Sequence, residues 1–361
     1  MSPGRAAPRV RVIGAGVLGL CAALAFSEAG AEVEVVERRD GPGLGCSFLA
    51  GGMIAPWCEA ESAEPVVVEL GFEALAFWTE TVPVALRRGS LVVAPARDRP
   101  ELARFARRTS GFERVDGARV AELEPDLAGR FDDALFFPHE AHLDPRAAIR
   151  ALAARLEASP NVRLRYGAGA APVADDDVDW TIDCRGFDAR REVEGLRGVK
   201  GEMLVLQTRD VSLSRPIRMI HPRHPVYIVP RGDGRFMIGA TMIENEEAGR
   251  VTARAMLELL GAAYTAHPAF GEAEIVETGA GVRPAFFDNL PRVRVEGRRI
   301  VLNGLYRHGF LLAPAVARRA VDVALRGADP EAALRATPRG EPRDDDQIRD
   351  GHAHRSERQD A

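Results

Sequence analysis

The chain has 361 residues, a length that favours two domains, because one domain usually holds about 100 to 200 residues. Hydrophobic residues make up 46% and charged residues 28%, which is typical of a globular protein with sizeable cores. The formal net charge of −5 excludes the strongly basic surface that a nucleic-acid-binding protein presents.

The first forty residues predict a strand, a helix and a second strand. Residues 9–13 have the composition of a short strand, and residues 20–29 are almost all apolar, as in a buried helix. Gly30 stands where helices commonly end, and residues 31–36 predict the second strand.

A glycine fingerprint lies between the first strand and the helix. Gly14, Gly16 and Gly19 form Gly-x-Gly-x-x-Gly, and Glu37 follows the second strand, 23 positions after Gly14. In dinucleotide folds these glycines permit a tight turn, backbone approach to a pyrophosphate and close helix packing, while the acid binds the ribose. A different phosphate-binding loop, Gly-Lys-Ser/Thr, is excluded because the single lysine, Lys200, precedes a glycine.

The middle of the chain alternates helical and strand patterns. A glycine-rich loop at 41–56 follows the second strand, at the place where a bound dinucleotide would continue. Asp144 and Pro145 predict the start of a helix, since aspartate caps helices and proline suits their first position. The other predicted elements of this half are helices at 65–80, 101–108 and 145–158 and strands at 89–95, 162–165 and 178–184.

From residue 201 the pattern changes to strands and later returns to that of the opening. Strands are predicted at 203–206, 226–229, 236–240 and 300–302, helices at 252–264 and 313–326, and glycine-bearing turns at 230–234 and 304–309. We therefore predict an α/β fold: a discontinuous, Rossmann-like dinucleotide-binding domain with an inserted α+β domain built on an antiparallel sheet. The predicted parts are 1–85, 141–199 and 276–336 for the first domain, 86–140 and 200–275 for the second, and 337–361 for a disordered tail.

The sequence disfavours a metal site, a disulfide and an association with membranes. The four cysteines include no Cys-x-x-Cys pair and no histidines at ligand spacing, so neither a metal site nor a disulfide is expected. This cysteine usage fits a reducing, cytoplasmic compartment. The longest apolar run, Val17–Phe26, has ten residues, about half of what a membrane span needs, so no membrane association is expected.

Four separate segments carry a family resemblance. They are the fingerprint with Glu37; the loop Ala50-Gly-Gly-Met-Ile-Ala-Pro56; the stretch from Tyr227-Ile-Val-Pro-Arg to Gly239-Ala-Thr-Met242; and the paired motifs Gly281-Val-Arg-Pro284 and Tyr306-Arg-His-Gly-Phe-Leu-Leu-Ala-Pro314. With these segments, residues 10–327 resemble the D-amino-acid oxidase superfamily of FAD enzymes, and within it the glycine oxidases of thiazole synthesis. The chain departs from the family pattern at four positions, Leu305, His308, Ala285 and Asn289. These departures affect the substrate preference that the resemblance implies.

The resemblance implies a set of cofactor contacts. FAD is expected to be noncovalent, because no cysteine follows Cys184 and the C-terminal cysteine linkage of sarcosine-oxidase relatives is therefore absent. The implied FAD-binding residues, with the fingerprint included, are Gly14, Gly16, Val17, Leu18, Gly19, Glu37, Arg38, Cys46, Ser47, Gly51, Gly52, Met53, Ala170, Leu305, Tyr306, Arg307, His308, Gly309, Phe310 and Leu311.

Four residues are implied to hold the substrate. Arg283 would grip a carboxylate with its guanidinium fork, and Tyr227 would donate a hydrogen bond to that carboxylate. Arg307 would position the substrate, or instead contact the flavin side. Met242 would narrow the pocket, although Met242 and Tyr227 could each be a core residue instead. Glu59 is interpreted as a solvated glutamate, with a role at the site entrance as the alternative.

The implied reaction is oxidation of glycine. A hydride would pass from the α-carbon to the flavin, dioxygen would reoxidise the flavin to give hydrogen peroxide, and the imine would feed thiazole assembly or hydrolyse to glyoxylate and ammonia. Two alternatives stay open: an oxidase or dehydrogenase of another small amino acid, such as D-alanine, sarcosine or D-proline, and a dinucleotide-binding protein without flavin. The expected partners are glycine and dioxygen, and a homo-oligomer is left open.

Overall fold

The computed structural model describes residues 7–169, 177–221 and 225–334. Its strands are β1 Arg9–Ile13, β2 Glu32–Val36, β3 Met53–Ile54, β4 Ser90–Val93, β5 Glu113–Asp116, β6 Asp133–Phe137, β7 Ala141–His142, β8 Val162–Arg165, β9 Trp180–Asp183, β10 Arg197–Gln207, β11 Ile217–Met219, β12 Val226–Pro230, β13 Arg235–Gly239, β14 Ile243–Glu244, β15 Glu274–Ala285, β16 Arg292–Glu296 and β17 Arg299–Asn303. Its α-helices are α1 Val17–Glu28, α2 Pro56–Glu59, α3 Pro65–Ala76, α4 Arg99–Arg108, α5 Gly117–Leu123, α6 Pro145–Glu157, α7 Ala253–Ala266, α8 Gly309–Arg326 and α9 Pro330–Ala333.

The first large sheet is built from both ends of the chain. Its strand order is β16-β17-β9-β1-β2-β8, with β16 antiparallel to β17 and the other pairs parallel. Helix α1 contacts α6, α8 and this sheet, and nine of its twelve residues are buried. A helix covered on all sides needs no polar face, which explains why the sequence of α1 is apolar all round.

The second large sheet is mostly antiparallel. Its order is β14-β10-β13-β12-β11-β4-β6-β5, and β15 also pairs with β10 along most of its length. The pair of β4 with β11 is parallel, so the sheet is mixed in orientation. A separate core lies between this sheet and α7, which Thr252 caps through its side chain. The predicted fold class, a Rossmann-like α/β sheet with a sheet-based second unit, is confirmed.

Strand β15 crosses a predicted domain boundary. The sequence prediction places 276–336 with the FAD-binding domain, but the residues of β15 up to Ala285 are hydrogen-bonded to β10 in the second sheet. The predicted boundary at 199/200 likewise falls inside β10. The division into two domains therefore stays a prediction whose boundaries cut through strands, and the predicted tail lies outside the described residues.

Helix α8 begins at Gly309, four residues before its predicted start. Because the helix begins earlier, Pro314 lies inside it rather than in its first turn. Proline has no N–H to donate to the carbonyl one turn earlier, which here belongs to Phe310. The buried indole Nε1 of Trp78 donates to that oxygen at 2.8 Å instead, so the interior proline leaves no carbonyl unsatisfied.

The helix predicted at 65–80 is α3 followed by one π-helical stretch, Phe77–Thr81, which carries Trp78. Within the described part of the chain, no helix has the length and apolar character that crossing a membrane requires.

Candidate active site

A cavity of about 700 Å³ is bounded by residues of both large sheets. Ligand pockets typically have about 300 to 1,000 Å³, so this one has the size of a binding site. The predicted site residues that line it are Gly14, Gly16, Val17, Leu18, Glu37, Arg38, Cys46, Ser47, Gly51, Gly52, Met53, Tyr227, Met242, Arg283, Leu305, Tyr306, Arg307, His308, Gly309, Phe310 and Leu311. Gly19 lies outside the cavity wall, and Ala170 lies outside the described residues.

The three fingerprint glycines differ in their surroundings. Gly14 has φ +101°, and a Cβ there would lie 2.7 Å from the carbonyl oxygen of Cys184. A Cβ on Gly19 would lie only 1.8 Å from the carbonyl oxygen of Gly14, so α1 and the turn touch at this point. The nearest atom to a Cβ on Gly16 is Ser47 Oγ at 3.4 Å, which leaves the backbone here open toward the cavity.

Glu37 is buried at the end of β2 and fixes the fingerprint turn. Its Oε2 accepts a hydrogen bond from the amide of Ala15 at 2.8 Å, and its Oε1 accepts one from the amide of Arg39 at 2.9 Å. Each carboxylate oxygen can accept a second bond, so acceptor capacity for a ribose remains. Arg38, beside it, forms an ion pair of 2.7 Å with Asp188.

Two helices begin at the cavity wall. Gly16 precedes α1 and His308 precedes α8, and neither of these two cap residues makes a side-chain capping hydrogen bond. In α1 the amide of Val17 donates to Ser47 Oγ at 3.2 Å. The first amides of a helix have no partner within the helix, and its N-terminus carries partial positive charge. Two such helix starts suit the pyrophosphate of FAD and the negative charge that a reduced flavin carries. The residues present therefore fit FAD.

The side chain of Arg283 extends from β15 over Gly201 and lines the cavity. A Cβ on Gly201 would lie 2.3 Å from Nη2 of Arg283, so only glycine leaves room for the guanidinium. Nη1 donates to the carbonyl oxygen of Thr241 at 3.0 Å. Among the described residues Arg283 has no carboxylate partner, and burial lowers its pKa. The guanidinium is therefore available to an anionic ligand.

Glu59 is the centre of a buried polar network, and its interpretation as a solvated residue is wrong. Only 6% of it is exposed. Its Oε2 lies 2.5 Å from Nη2 of Arg307, and its Oε1 accepts a hydrogen bond of 3.2 Å from the hydroxyl of Tyr227. The same hydroxyl accepts a bond of 2.9 Å from Nη1 of Arg218. Tyr227, which is partly buried, thus lines the cavity with its hydroxyl in this network, while it also packs against the apolar cluster of Met203, Val205, Val229 and Met237.

The charges of this network set the protonation states around it. Burial raises the pKa of Glu59, but the charges of Arg307, His308 and Arg218 outweigh burial and lower the pKa to about 2. Burial lowers the pKa of His308 to about 4; the charge of Glu59 opposes this shift, and the nearby arginines reinforce it. At neutral pH the carboxylate is therefore ionised and the imidazole is neutral.

Met242 lies at the cavity mouth, and the alternative that it is a core residue is wrong. Its exposed fraction is 47%, and its Sδ is 3.4 Å from the hydroxyl of Tyr306 and 3.7 Å from Nη1 of Arg307. The amide of Tyr306 donates to the carbonyl oxygen of Pro284 at 2.9 Å. This bond joins the loop before α8 to the strand that carries Arg283.

The sequence prediction missed Arg218, which is only 4% exposed and lines the cavity from β11. Its guanidinium carbon lies 4.8 Å from the ring centre of Phe105 and 5.2 Å from that of Tyr227. The signal was present as an arginine between Ile217 and Met219, since a charged residue inside an apolar strand needs a buried partner.

A buried carboxyl, Glu140, holds the helix on which Glu59 lies. Its Oε1 accepts a hydrogen bond of 2.7 Å from the amide of Cys58, and its Oε2 accepts one from the hydroxyl of Ser90. The side chain is fully buried, and burial raises its pKa to about 7.

Glu140→Gln is expected to change the pH dependence of stability. Because the pKa of Glu140 is higher in the folded chain than the ordinary 4.5, folding loses stability as pH rises from about 4.5 through 7. At about 1.4 kcal/mol per pKa unit, the loss is up to about 3 kcal/mol. Glutamine can accept from the amide of Cys58 through its oxygen and donate to the Ser90 hydroxyl through its NH₂ group, and it does not ionise. The variant should therefore gain stability relative to the wild type between pH 5 and 8. Melting temperatures across this range measure the gain, which Glu272→Gln, an exposed control, should not show.

These features define the class of the protein: a dinucleotide-binding protein whose fingerprint turn and cationic pocket line one cavity. Residues 9–323 match the family model described as FAD dependent oxidoreductase, DAO, and the chain belongs to this family. The alternative of a dinucleotide-binding protein without flavin is therefore wrong.

Individual relatives agree with this assignment. The chain is 57% identical over 310 residues to a protein of Rhizobium etli named as a thiamine biosynthesis oxidoreductase, ThiO, covering 86% of this chain and 94% of that one. It is 27% identical over 345 residues to a glycine oxidase of Bacillus licheniformis, covering 87% and 92%. A glycine oxidase structure from Bacillus cereus superposes with a TM-score of 0.77 at 22% identity, covering 90% and 97%, which shows the shared fold.

Proposed function

We propose that this FAD-dependent oxidoreductase is a glycine oxidase: glycine, water and dioxygen give glyoxylate, ammonia and hydrogen peroxide. The observation that carries the proposal is Arg283, a guanidinium without a carboxylate partner among the described residues, in the same cavity as Gly14 and Gly16 of the fingerprint. A zwitterionic amino acid supplies the carboxylate that such a site needs.

In this proposal the protein side chains bind and orient the substrate. Arg283 holds the substrate carboxylate, the hydroxyl of Tyr227 adds a hydrogen bond, and Arg307, held by Glu59, positions the substrate beside the loop before α8. Bound FAD supplies the two-electron oxidation of the amine to an imine.

The protonation states favour an amine that enters neutral. Among the described cavity residues near Arg283, Glu59 has a pKa of about 2 and is held by Arg307, and His308 has a pKa of about 4. Neither group is a strong base at neutral pH, where efficient general bases have a pKa near the working pH. We therefore assign no side-chain base to the reaction.

The name of the Rhizobium etli relative supports a link to thiamine synthesis, in which the imine product would feed thiazole assembly. The four cysteines are unpaired, which fits a reducing compartment, so we place the reaction in the cytoplasm.

A peroxide-coupled assay of the purified holoenzyme tests the proposal. We expect glycine to give hydrogen peroxide under air at a higher kcat/KM than sarcosine or D-alanine. A preference for another of these amino acids would contradict glycine as the substrate. Turnover only with an added dye or quinone, without peroxide, would instead indicate a dehydrogenase.

A further inference from the structure

Charge is unevenly distributed along the cavity wall. Three guanidiniums, those of Arg218, Arg283 and Arg307, line the cavity, and Glu59 is the buried carboxylate that pairs with Arg307. The balance of these charges decides how many anionic groups a ligand can bring into the cavity. The inference drawn from it rests on the proposed function, since both assume that Arg283 binds the substrate carboxylate.

Arg307 and Arg218 already have partners. The side chains of Arg307 and Glu59 are 20% and 8% exposed and 2.5 Å apart, so the charge of Arg307 is compensated inside the protein. Arg218 lies 3.6 Å from Glu61 and donates to the carbonyl oxygen of Cys58 as well as to Tyr227. Among the described residues, this leaves Arg283 as the one of the three guanidiniums without a carboxylate.

We propose that Glu59 is a specificity-determining residue that limits the substrate to amino acids with a single anionic group. One carboxylate binds to Arg283. A second carboxylate of the same ligand would lie beside Arg307, whose charge Glu59 already neutralises, and beside the negative charge of Glu59 itself. Burying an anion without a partner costs free energy. Specificity of this kind comes from repulsion of the wrong ligand as well as attraction of the right one.

Glu59→Gln separates the charge of this residue from its hydrogen bonds. Glutamine keeps an oxygen that can accept from the hydroxyl of Tyr227, but it no longer neutralises Arg307. If Glu59 only anchored the Tyr227 hydroxyl, the exchange would leave ligand selectivity unchanged. If its charge excludes a second anion, the exchange frees Arg307 to bind one.

The test is calorimetric titration of the FAD-loaded enzyme with methoxyacetate and diglycolate. Both are ether analogues of N-substituted glycines, so neither has an amine to oxidise, and they differ by one carboxylate. The wild type is expected to bind methoxyacetate more tightly. In Glu59→Gln the ratio of the two dissociation constants should shift by at least 10-fold in favour of diglycolate, because an ion pair with Arg307 becomes available.

Three further variants complete the test. Glu59→Asp keeps the charge, so the preference for methoxyacetate should remain. The double variant Glu59→Gln/Arg307→Gln removes both charges, and the gain in diglycolate binding should disappear. Glu64→Gln removes an exposed charge five residues away and should leave the ratio unchanged.

An unchanged ratio in folded, FAD-loaded Glu59→Gln would overturn the inference, and so would a gain that persists in the double variant. Failure of the proposed function is a different result. If the wild type binds methoxyacetate but does not oxidise glycine, the glycine assignment fails while the ratio still decides the role of Glu59. If neither anion binds the wild type, the assignment of Arg283 as the carboxylate site is wrong, and both the proposed function and the role of Glu59 are contradicted.

Discussion

Arg283→Gln is expected to raise the KM for glycine by about 30-fold or more while FAD stays bound. The guanidinium has no carboxylate partner among the described residues, so its loss breaks no internal ion pair and removes the charge that holds the substrate. Removing one partner of a buried, hydrogen-bonded charge pair costs about 2 to 5 kcal/mol, which corresponds to at least about 30-fold. Steady-state kinetics with glycine and the flavin absorbance spectrum of the purified variant measure the two effects.

Two control variants show whether charge or geometry is responsible. Arg283→Lys keeps the charge but loses the planar fork, so its KM should lie between those of wild type and Arg283→Gln. Arg38→Gln removes an arginine from the fingerprint side of the cavity, where it pairs with Asp188, and should weaken FAD binding rather than raise KM. Unchanged glycine kinetics in Arg283→Gln would remove this residue from the substrate site.

Local sequence patterns predicted the first sheet and its helices well, because the residues that determine each of these elements lie close together in the chain. Strand β1, the fingerprint and α1 follow one another within twenty residues, and the apolar character of α1 reflects burial on all sides. Strand β15 was missed, since Gly279, Gly281 and Pro284 interrupt its strand pattern. Its pairing with β10, about 75 residues earlier in the chain, determines its conformation.

The polar network of the site illustrates a different limit of sequence analysis. Glu59 and Arg307 are 248 positions apart, and nothing near Glu59 in the sequence indicates that a guanidinium will meet it. A glutamate is usually exposed unless it is paired, so a solvated side chain was the reasonable expectation. The family resemblance placed Arg283 and Tyr227 at the cavity, whereas the partners that fix the Tyr227 hydroxyl became visible only in three dimensions.

Gly19→Ala is expected to destabilise the protein by about 3 kcal/mol, the upper end of the range for overpacking, and to abolish FAD retention. The new Cβ would lie 1.8 Å from the carbonyl oxygen of Gly14, and backbone atoms cannot move aside as a flexible side chain can. Either α1 or the turn must shift, and overpacking of this kind costs about 1 to 3 kcal/mol, occasionally more. Urea unfolding and the flavin content of the purified protein provide the two measurements.

Gly16→Ala is the matched control from the same fingerprint. A Cβ there meets only Ser47 Oγ, at 3.4 Å, so the apoprotein should keep nearly wild-type stability. The same methyl group would occupy space on the cavity side, where the pyrophosphate of FAD is expected, and should weaken FAD binding by about 10-fold or more. The two glycines thus separate packing of the fold from access of the cofactor, and equal stability losses in both variants would contradict this separation.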